Sequence, residues 1–183
     1  MQKTKTKISK ASIYQFESFF HLHFLSESVS SSYTDKVKLP EISKILKNST
    51  VNLVEVIHFN SAPSIIPIKF YDNDIKAKYL ETNTGSINNI DEDISADQKI
   101  NVVYSKNKDL SKTLGLDEQK VSHVNHFTKL YNYLSEVVDN SDGLSFFIKI
   151  NSRSFEIIIY SKNEFIFFNT FKIVDENEFL YYT

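Results

Sequence analysis

L-S-F-F-I-K-I-N-S-R-S-F-E-I-I-I-Y-S-K-N-E-F-I-F-F-N-T-F-K, residues 144–172, is the stretch on which the fold turns. It divides into three strands, Leu144 to Asn151, Ser154 to Ser161 and Glu164 to Lys172. The connections Asn151-Ser152-Arg153 and Ser161-Lys162-Asn163 are too short for anything but antiparallel neighbours. Alternate positions place Leu144, Phe146, Ile148, Ile150, Phe155, Ile157, Ile159, Phe165, Phe167 and Phe171 on one side. The other side is also apolar in part, with Phe147, Ile158, Tyr160, Ile166 and Phe168. A sheet that is apolar on both faces needs cover on both. Some cover follows in sequence: Asp175-Glu176-Asn177-Glu178 suits the first turn of a helix carrying Phe179, Leu180, Tyr181 and Tyr182. The chain stops after about two turns of that helix.

Reading backwards, Asp139-Asn140-Ser141-Asp142-Gly143 is a polar break and the expected boundary between two lobes, 1–140 and 144–183. Before it, Phe127, Leu130, Tyr131, Leu134 and Val137-Val138 recur at helical spacing over His126 to Val138. Val121 to Val124, Ile100 to Tyr104 and the β-branched run Val51 to His58 read as strands. Short helices are expected from Pro40, over Asp72 to Leu80, and over Asp109 to Leu114, where Gly115 stands just past the end. Asn60 to Ser64 is expected to turn, with Ile65-Ile66-Pro67 leading into the second of those helices. Ile13 to Leu25 predicts one long strand, or a hairpin bent near Glu17-Ser18. The serine-rich segment Ser26 to Lys38 predicts a connector, and acidic Glu81 to Lys99 a loop. The fold class is therefore α/β with a mixed sheet.

Composition narrows the function classes. With 183 residues, 41% apolar and 14% aromatic, the chain can bury a core and is not a disordered polymer. Its net charge of −2 lacks the basic excess that phosphate contacts demand, so nucleic acid is not an expected partner. The absence of cysteine excludes disulfides, thiolate metal sites and cysteine nucleophiles. The basic start followed by Phe19 to Leu25 is interrupted by two histidines and has no small-residue cleavage site, and no run suits a membrane helix. A cytoplasmic location is expected. Glycine occurs only at 85, 115 and 143, so neither a G-x-G-x-x-G nor a P-loop pattern can be written.

Ile100-Asn101-Val102-Val103-Tyr104, the region around His126, Phe147 to Ile159, F-I-F-F-N-T-F at 165–171 and E-N-E-F-L-Y-Y at 176–182 together resemble an uncharacterised bacterial family, domain of unknown function 3822. The resemblance runs from about Leu39 to the last residue. It implies an actin-like ATPase type of fold, built of ribonuclease-H-like lobes, with residues 1–140 as the first lobe and 144–183 as the opening of a second, truncated one. In such two-lobed ATPases the turns between the first two strands of each lobe carry an aspartate and glycines around the phosphates. Here the corresponding turns, near Glu17-Ser18 and at Asn151-Ser152-Arg153, have no glycine, and the second has no aspartate. Both departures argue against ATP hydrolysis, and the resemblance carries over no catalytic residue.

Few residues stand out chemically. His21 and His23 share one strand face, a geometry that can chelate metal, but Phe20, Leu22 and Phe24 opposite them describe an ordinary half-exposed strand. His123, Asn125 and His126 sit at a strand-to-helix junction, where Asn125 or Ser122 serves as a helix cap and a polar site is the sharper alternative. Asp91, Glu92, Asp93 and Asp97 lack the calcium-loop spacing and read as a solvated acidic loop. The serines of Ser141-Asp142-Gly143 and Asn151-Ser152-Arg153 belong to turn chemistry. No catalytic, metal or cofactor-binding residue is assigned. The expected interaction surface is Phe147, Ile158, Tyr160, Phe168, Tyr181 and Tyr182, through which a second copy or a protein partner would dock. The reading that follows is a non-catalytic binding or scaffold protein. A degenerate nucleotide-binding protein that retains ATP affinity without hydrolysis is the alternative, and a hydrolase built on His126 has only proximity in sequence behind it.

Overall fold

The computed structural model describes residues 6–16, 19–26, 32–59, 61–84, 89–106, 109–138, 143–150 and 154–182. The chain divides into two compact units, residues 1–130 and 131–183.

The first unit is organised by a five-stranded mixed sheet. Strands β1 (Thr6–Gln15), β2 (Phe20–Ser26) and β3 (Ser32–Val37) form an antiparallel meander. Helix α1 (Leu39–Lys47) then returns the chain to β4 (Ser49–His58), which lies parallel to β1 on its other side. Strand β8 (Val121–Asn125) continues in parallel beyond β4, giving the order β3-β2-β1-β4-β8. Alternate residues of these strands, Ala11, Ile13, Leu22, Val54 and Val56, are fully buried and form one core with Ile42 and Leu46 of α1 and with Leu110 and Leu114 of α3 (Asp109–Leu114). Pro40 occupies the first turn of α1, where its missing N–H leaves nothing unsatisfied. Gly115 ends α3 with a φ of +66°, a left-handed conformation that glycine adopts without strain.

Between β4 and β8 the chain builds a second, antiparallel sheet in the order β5-β7-β6. Its strands are β5 (Ser64–Pro67), β6 (Ile90–Ile94) and β7 (Ile100–Ser105), and α2 (Lys76–Thr84) packs on it through Leu80, against Ile66 and Val103.

The second unit contains the last turns of α4 (His126–Val137), the antiparallel meander β9 (Leu144–Ile150), β10 (Ser154–Ser161) and β11 (Glu164–Lys172), and α5 (Glu176–Tyr182). Asp175 caps α5, its Oδ1 accepting from the main-chain N–H of Asn177 at 2.9 Å and of Glu178 at 3.0 Å. The meander and both flanking helices follow the sequence expectation closely.

Several expectations need correction. Ser26 to Lys38 is not wholly a connector: S-Y-T-D-K-V forms edge strand β3, whose polar composition suits an edge. Glu81 to Lys99 is not one loop, because Glu81 lies inside α2 and I-D-E-D-I forms β6. Ile65-Ile66-Pro67 belongs to β5, and the helix expected from Asp72 starts at Lys76 after a single 3-10 turn, Asn73–Ile75. Of the two readings of Ile13 to Leu25 the hairpin holds, and only its start is corrected, the first strand beginning already at Thr6. The bend at Glu17-Ser18, the Asn151-Ser152-Arg153 connection and Gly85 fall outside the described residues.

Candidate functional site

In open α/β sheets, ligands collect beyond the carboxyl ends of the parallel strands. Here those ends align as Gln15 of β1, His58 of β4 and Asn125 of β8, adjacent in register. All three are buried, His58 and Asn125 completely.

Asn125 organises the crest. Its Oδ1 accepts from the main-chain N–H of Phe127 at 2.9 Å, which caps α4, and its Nδ2 donates to the Ser61 carbonyl at 3.1 Å. Its own main-chain N–H donates to Asp93 Oδ2 at 2.7 Å. Thr128 Oγ1 donates to the same oxygen at 2.9 Å, and the Tyr104 hydroxyl donates to Asp93 Oδ1 at 3.3 Å. Burial pushes the Asp93 carboxyl up to about 6, against the pull of these donors, and the charge of Asp91 adds to the rise. The Tyr104 hydroxyl is raised by burial and by the same two carboxylates.

Beside this cluster, His58 Nε2 and His123 Nδ1 share a hydrogen bond of 3.0 Å with their rings stacked, and His58 packs on Tyr104. Burial lowers the His123 pKa, the Lys106 ammonium lowers it further, and Asp91 opposes both. Lys106 is itself bound to Asp91 at 2.5 Å. His126 Nδ1 donates to the His58 carbonyl at 3.0 Å. The His126 ring begins a stack that continues through Phe59 and Phe16 to Phe19, each centroid 4.7 Å from the next. Phe16 and Phe19 also close the backbone between β1 and β2 through a 3.0 Å N–H to carbonyl bond. Bulky rings thus gather at the carboxyl ends of β1 and β4.

The structure therefore brings His123, Asn125 and His126 together at one end of the sheet, Asn125 and His126 buried and His123 half-buried, with Asn125 as the cap. It adds His58, Asp93, Tyr104 and Ser61, which the sequence reading left in a strand, a loop, a strand and a turn. His58 had a legible signal, since it is a polar residue closing the carboxyl end of a β-branched strand. Asp93 had none, because I-D-E-D-I is indistinguishable from a solvated run. The acidic stretch is paired residue by residue: Asp91 with Lys106, Asp93 with its three donors, and Glu92 with Tyr71, Lys76 and Asn101. For Glu92 burial pushes upward, but the bonds from Tyr71, Asn101 and Lys76 outweigh it and hold the carboxyl below its usual range. Asp97 accepts from Ser95 Oγ at 2.6 Å and from the Lys99 N–H at 3.0 Å, which is turn chemistry. His21 lies against the rings of Phe16 and Phe19, and His23 stands opposite Ser12. Among the described residues no group of three or more His, Asp or Glu could hold a metal ion.

In the second unit, the expected interaction surface lies on the covered face. Ile158 and Tyr160 are 1% exposed, and Phe147 and Phe168 are half-buried beside them. Tyr160 meets Phe147 and Tyr131 ring to ring and lies 3.3 Å from Ser135 Oγ, so the last turns of α4 roof this side. Tyr181 and Tyr182, also expected there, are on α5 and exposed. The open face is the other one. Phe155 and Phe171 on it are covered by Phe179 and Tyr182 of α5, but Leu144, Phe146, Ile148, Ile150 and Phe167 remain exposed, Phe146 at 59% and Ile150 at 64%. Alternation sorted the two faces except at Phe165, which the register irregularity between Ile159 and Tyr160 turns to the Tyr160 side, and it could not say which face α4 covers.

The family model for protein of unknown function (DUF3822) matches residues 9–183. The chain belongs to that family. None of the curated proteins matches this DUF3822 chain. Among solved structures it is similar to a Bacteroides thetaiotaomicron protein with actin-like ATPase fold and unknown function, with a TM-score of 0.73 and 14% identity, over 94% of this chain and 73% of that one. It is also similar to the PilM-PilN type IV pilus biogenesis complex, with a TM-score of 0.54 and 12% identity, over 93% of this chain and 63% of that one. The fold is thus actin-like, a mixed α/β arrangement with additional antiparallel sheets. Among the described residues no helix is long and apolar enough to cross a membrane.

Proposed function

We propose that this DUF3822 protein is a non-catalytic binding or scaffold module of the cytoplasm that engages a protein partner, its own copy included, through the open face of the β9–β11 sheet. The observation that carries this reading is the row Leu144, Phe146, Ile148 and Ile150, every member between 45% and 64% exposed on a single strand face. Contiguous apolar surface of this kind marks an association site. The reading takes 1–140 as a full ribonuclease-H-like lobe and 144–183 as the opening of a second. It is compatible with the PilM-PilN complex, in which a protein of related fold assembles with another protein.

The stacked rings of Phe16, Phe19, Phe59 and His126 support the non-catalytic part, because they fill the crest where a nucleotide would need backbone donors. Light scattering across a concentration series tests the association, and isothermal titration with ATP and Mg²⁺ tests the crest. Self-association without heat from ATP is expected. A clean monomer at high concentration that binds ATP at micromolar levels overturns the proposal in favour of a nucleotide-binding protein.

A further inference from the structure

Each unit contains the same arrangement, an antiparallel meander of three strands followed by a helix: β1-β2-β3-α1 in the first and β9-β10-β11-α5 in the second. In the first unit β4 and β8 extend the sheet beyond β1, and β3 stays at the edge. β11 holds that edge position in the second unit, and among the described residues it pairs only with β10. An edge strand offers a row of N–H and C=O groups to any strand that can reach it, and proteins usually blunt such edges with charge, proline or a bulge. β3 is blunted: S-Y-T-D-K-V carries Asp35 and Lys36, and Lys36 turns into the left-handed region with a φ of +50°. β11 is blunted only at its extremities. Its charges, Glu164 and Lys172, stand at the two ends, and it has no proline. Its register irregularity lies at the hairpin end, between Ile159 and Tyr160, so Phe167 to Lys172 pair with β10 without a shift.

The regular stretch of β11 is complementary to itself. Phe167, Asn169 and Phe171 lie opposite Ile159, Ile157 and Phe155 on the open face, and Phe168 and Thr170 lie opposite Ile158 and Glu156 on the covered one. A second copy running antiparallel about Asn169 sets Phe167 opposite Phe171 twice, Phe168 opposite Thr170, and Asn169 opposite itself. Every such pair joins residues of one face, both aromatic pairs fall on the open face, and no like charges meet. A two-fold about Phe168 sets Phe167 against Asn169 instead. One about Thr170 sets Phe171 against Asn169 and Phe168 against Lys172, so both lose the Phe167–Phe171 pairs. A slip of one residue would set the open face of one copy against the covered face of the other. We infer that a second copy of this chain adds to β11 in antiparallel register about Asn169, giving a closed two-fold dimer with a continuous sheet across it. This inference rests on the association reading above and specifies its partner and geometry, since the open apolar faces of both copies then form one surface.

The chain has no cysteine, so single replacements report the register without interference. Directly opposed residues have Cα atoms about 4.5–5.5 Å apart, within disulfide reach. Asn169 and Thr170 are both exposed, so replacing either leaves the packed side chains untouched. Asn169→Cys is expected to oxidise to a covalent dimer, whereas Thr170→Cys, opposite Phe168, stays uncrosslinked. Charge gives a second readout at the same position. Asn169→Lys and Asn169→Asp should each lose the dimer in light scattering, because like charges then face each other, and an equimolar mixture of the two should recover it. Crosslinking of Thr170→Cys as readily as Asn169→Cys overturns the inference. So does failure of both tests while the unmodified protein is a dimer by light scattering, and the association reading then survives. A monomer at every concentration overturns both.

Discussion

The Asp93 carboxylate accepts the main-chain N–H of Asn125 at 2.7 Å, joining β6 of the small sheet to the residue that caps α4 in the large one. The two are 32 positions apart in sequence. With its carboxyl held up at about 6, Asp93 binds a proton in the fold more tightly than in the unfolded chain, where an aspartate titrates near about 3.9. The folded state is therefore favoured at low pH by this group, and the contribution is lost as pH rises from about 4 through about 6. The shift allows at most about 3 kcal/mol, and incomplete burial reduces that to about 1–2 kcal/mol. Urea unfolding of Asp93→Asn across that window should show a pH slope flatter than that of the unmodified protein by this amount.

His123 acts with the opposite sign. Its pKa is lowered, so the unfolded chain takes up the proton first; stability is fully present above about 6.5 and falls as pH drops below it. Two imidazolium rings cannot share the 3.0 Å bond between His58 and His123, so protonation of the pair also breaks that contact. His123→Gln should cost stability at neutral pH and lose less of it on acidification, as read from denaturation midpoints at a series of pH values.

Asn125 serves a helix cap and the Ser61 carbonyl at once. Asn125→Ala should destabilise by about 2–3 kcal/mol, combining a lost cap with an unsatisfied buried carbonyl. Asn125→Ser retains an oxygen for the Phe127 N–H and should recover about 1 kcal/mol of that loss. Equilibrium denaturation of the two variants separates the two roles.

Under the meander, Lys149 and Glu156 are cross-strand neighbours, with the Glu156 side chain 5% exposed and the Lys149 side chain 28%. Removing the cation from a carboxylate that is so well buried should cost about 2–3 kcal/mol in Lys149→Met, at or below the range for fully buried pairs because the lysine reaches water. The double replacement Lys149→Met with Glu156→Leu should cost less than Lys149→Met alone. A double-mutant cycle checks this, and additive losses would refute it.

Gly115 turns the end of α3 in the left-handed region, and a Cβ there would meet Lys47 Cε at 3.3 Å. The lysine end can move, so the backbone sets the cost. Gly115→Ala should lower stability by about 1 kcal/mol and Gly115→Asn by less, since asparagine tolerates this conformation. Thermal midpoints of the two variants give the ordering.

The elements that read well in the sequence are those whose own pattern is sufficient. Val51 to His58, Ile100 to Tyr104 and the three strands of residues 144–172 carry β-branched and aromatic residues in alternation, and the helix from His126 carries its apolar stripe. β3 and β6 escaped because S-Y-T-D-K-V and I-D-E-D-I have almost no apolar alternation; they are strands because neighbours supply hydrogen bonds and, for β6, partners for each carboxylate. The crest was half legible, since His123, Asn125 and His126 stood out by spacing, His58 showed only as the polar end of its strand, and Asp93 not at all.

Local pattern by itself determined that the chain folds as mixed α/β with an aromatic antiparallel meander, and that both faces of the meander are apolar. The tertiary structure alone decided that α4 covers the side bearing Ile158 and Tyr160, leaving Phe146, Ile148 and Ile150 in the open, and that His58 meets His123 from 65 residues away. The physical reason is that alternation and helical spacing are fixed by each residue's nearest neighbours along the chain. The choice of face and the partner of a buried polar group depend on which distant segments the sheet topology brings to the same strand ends.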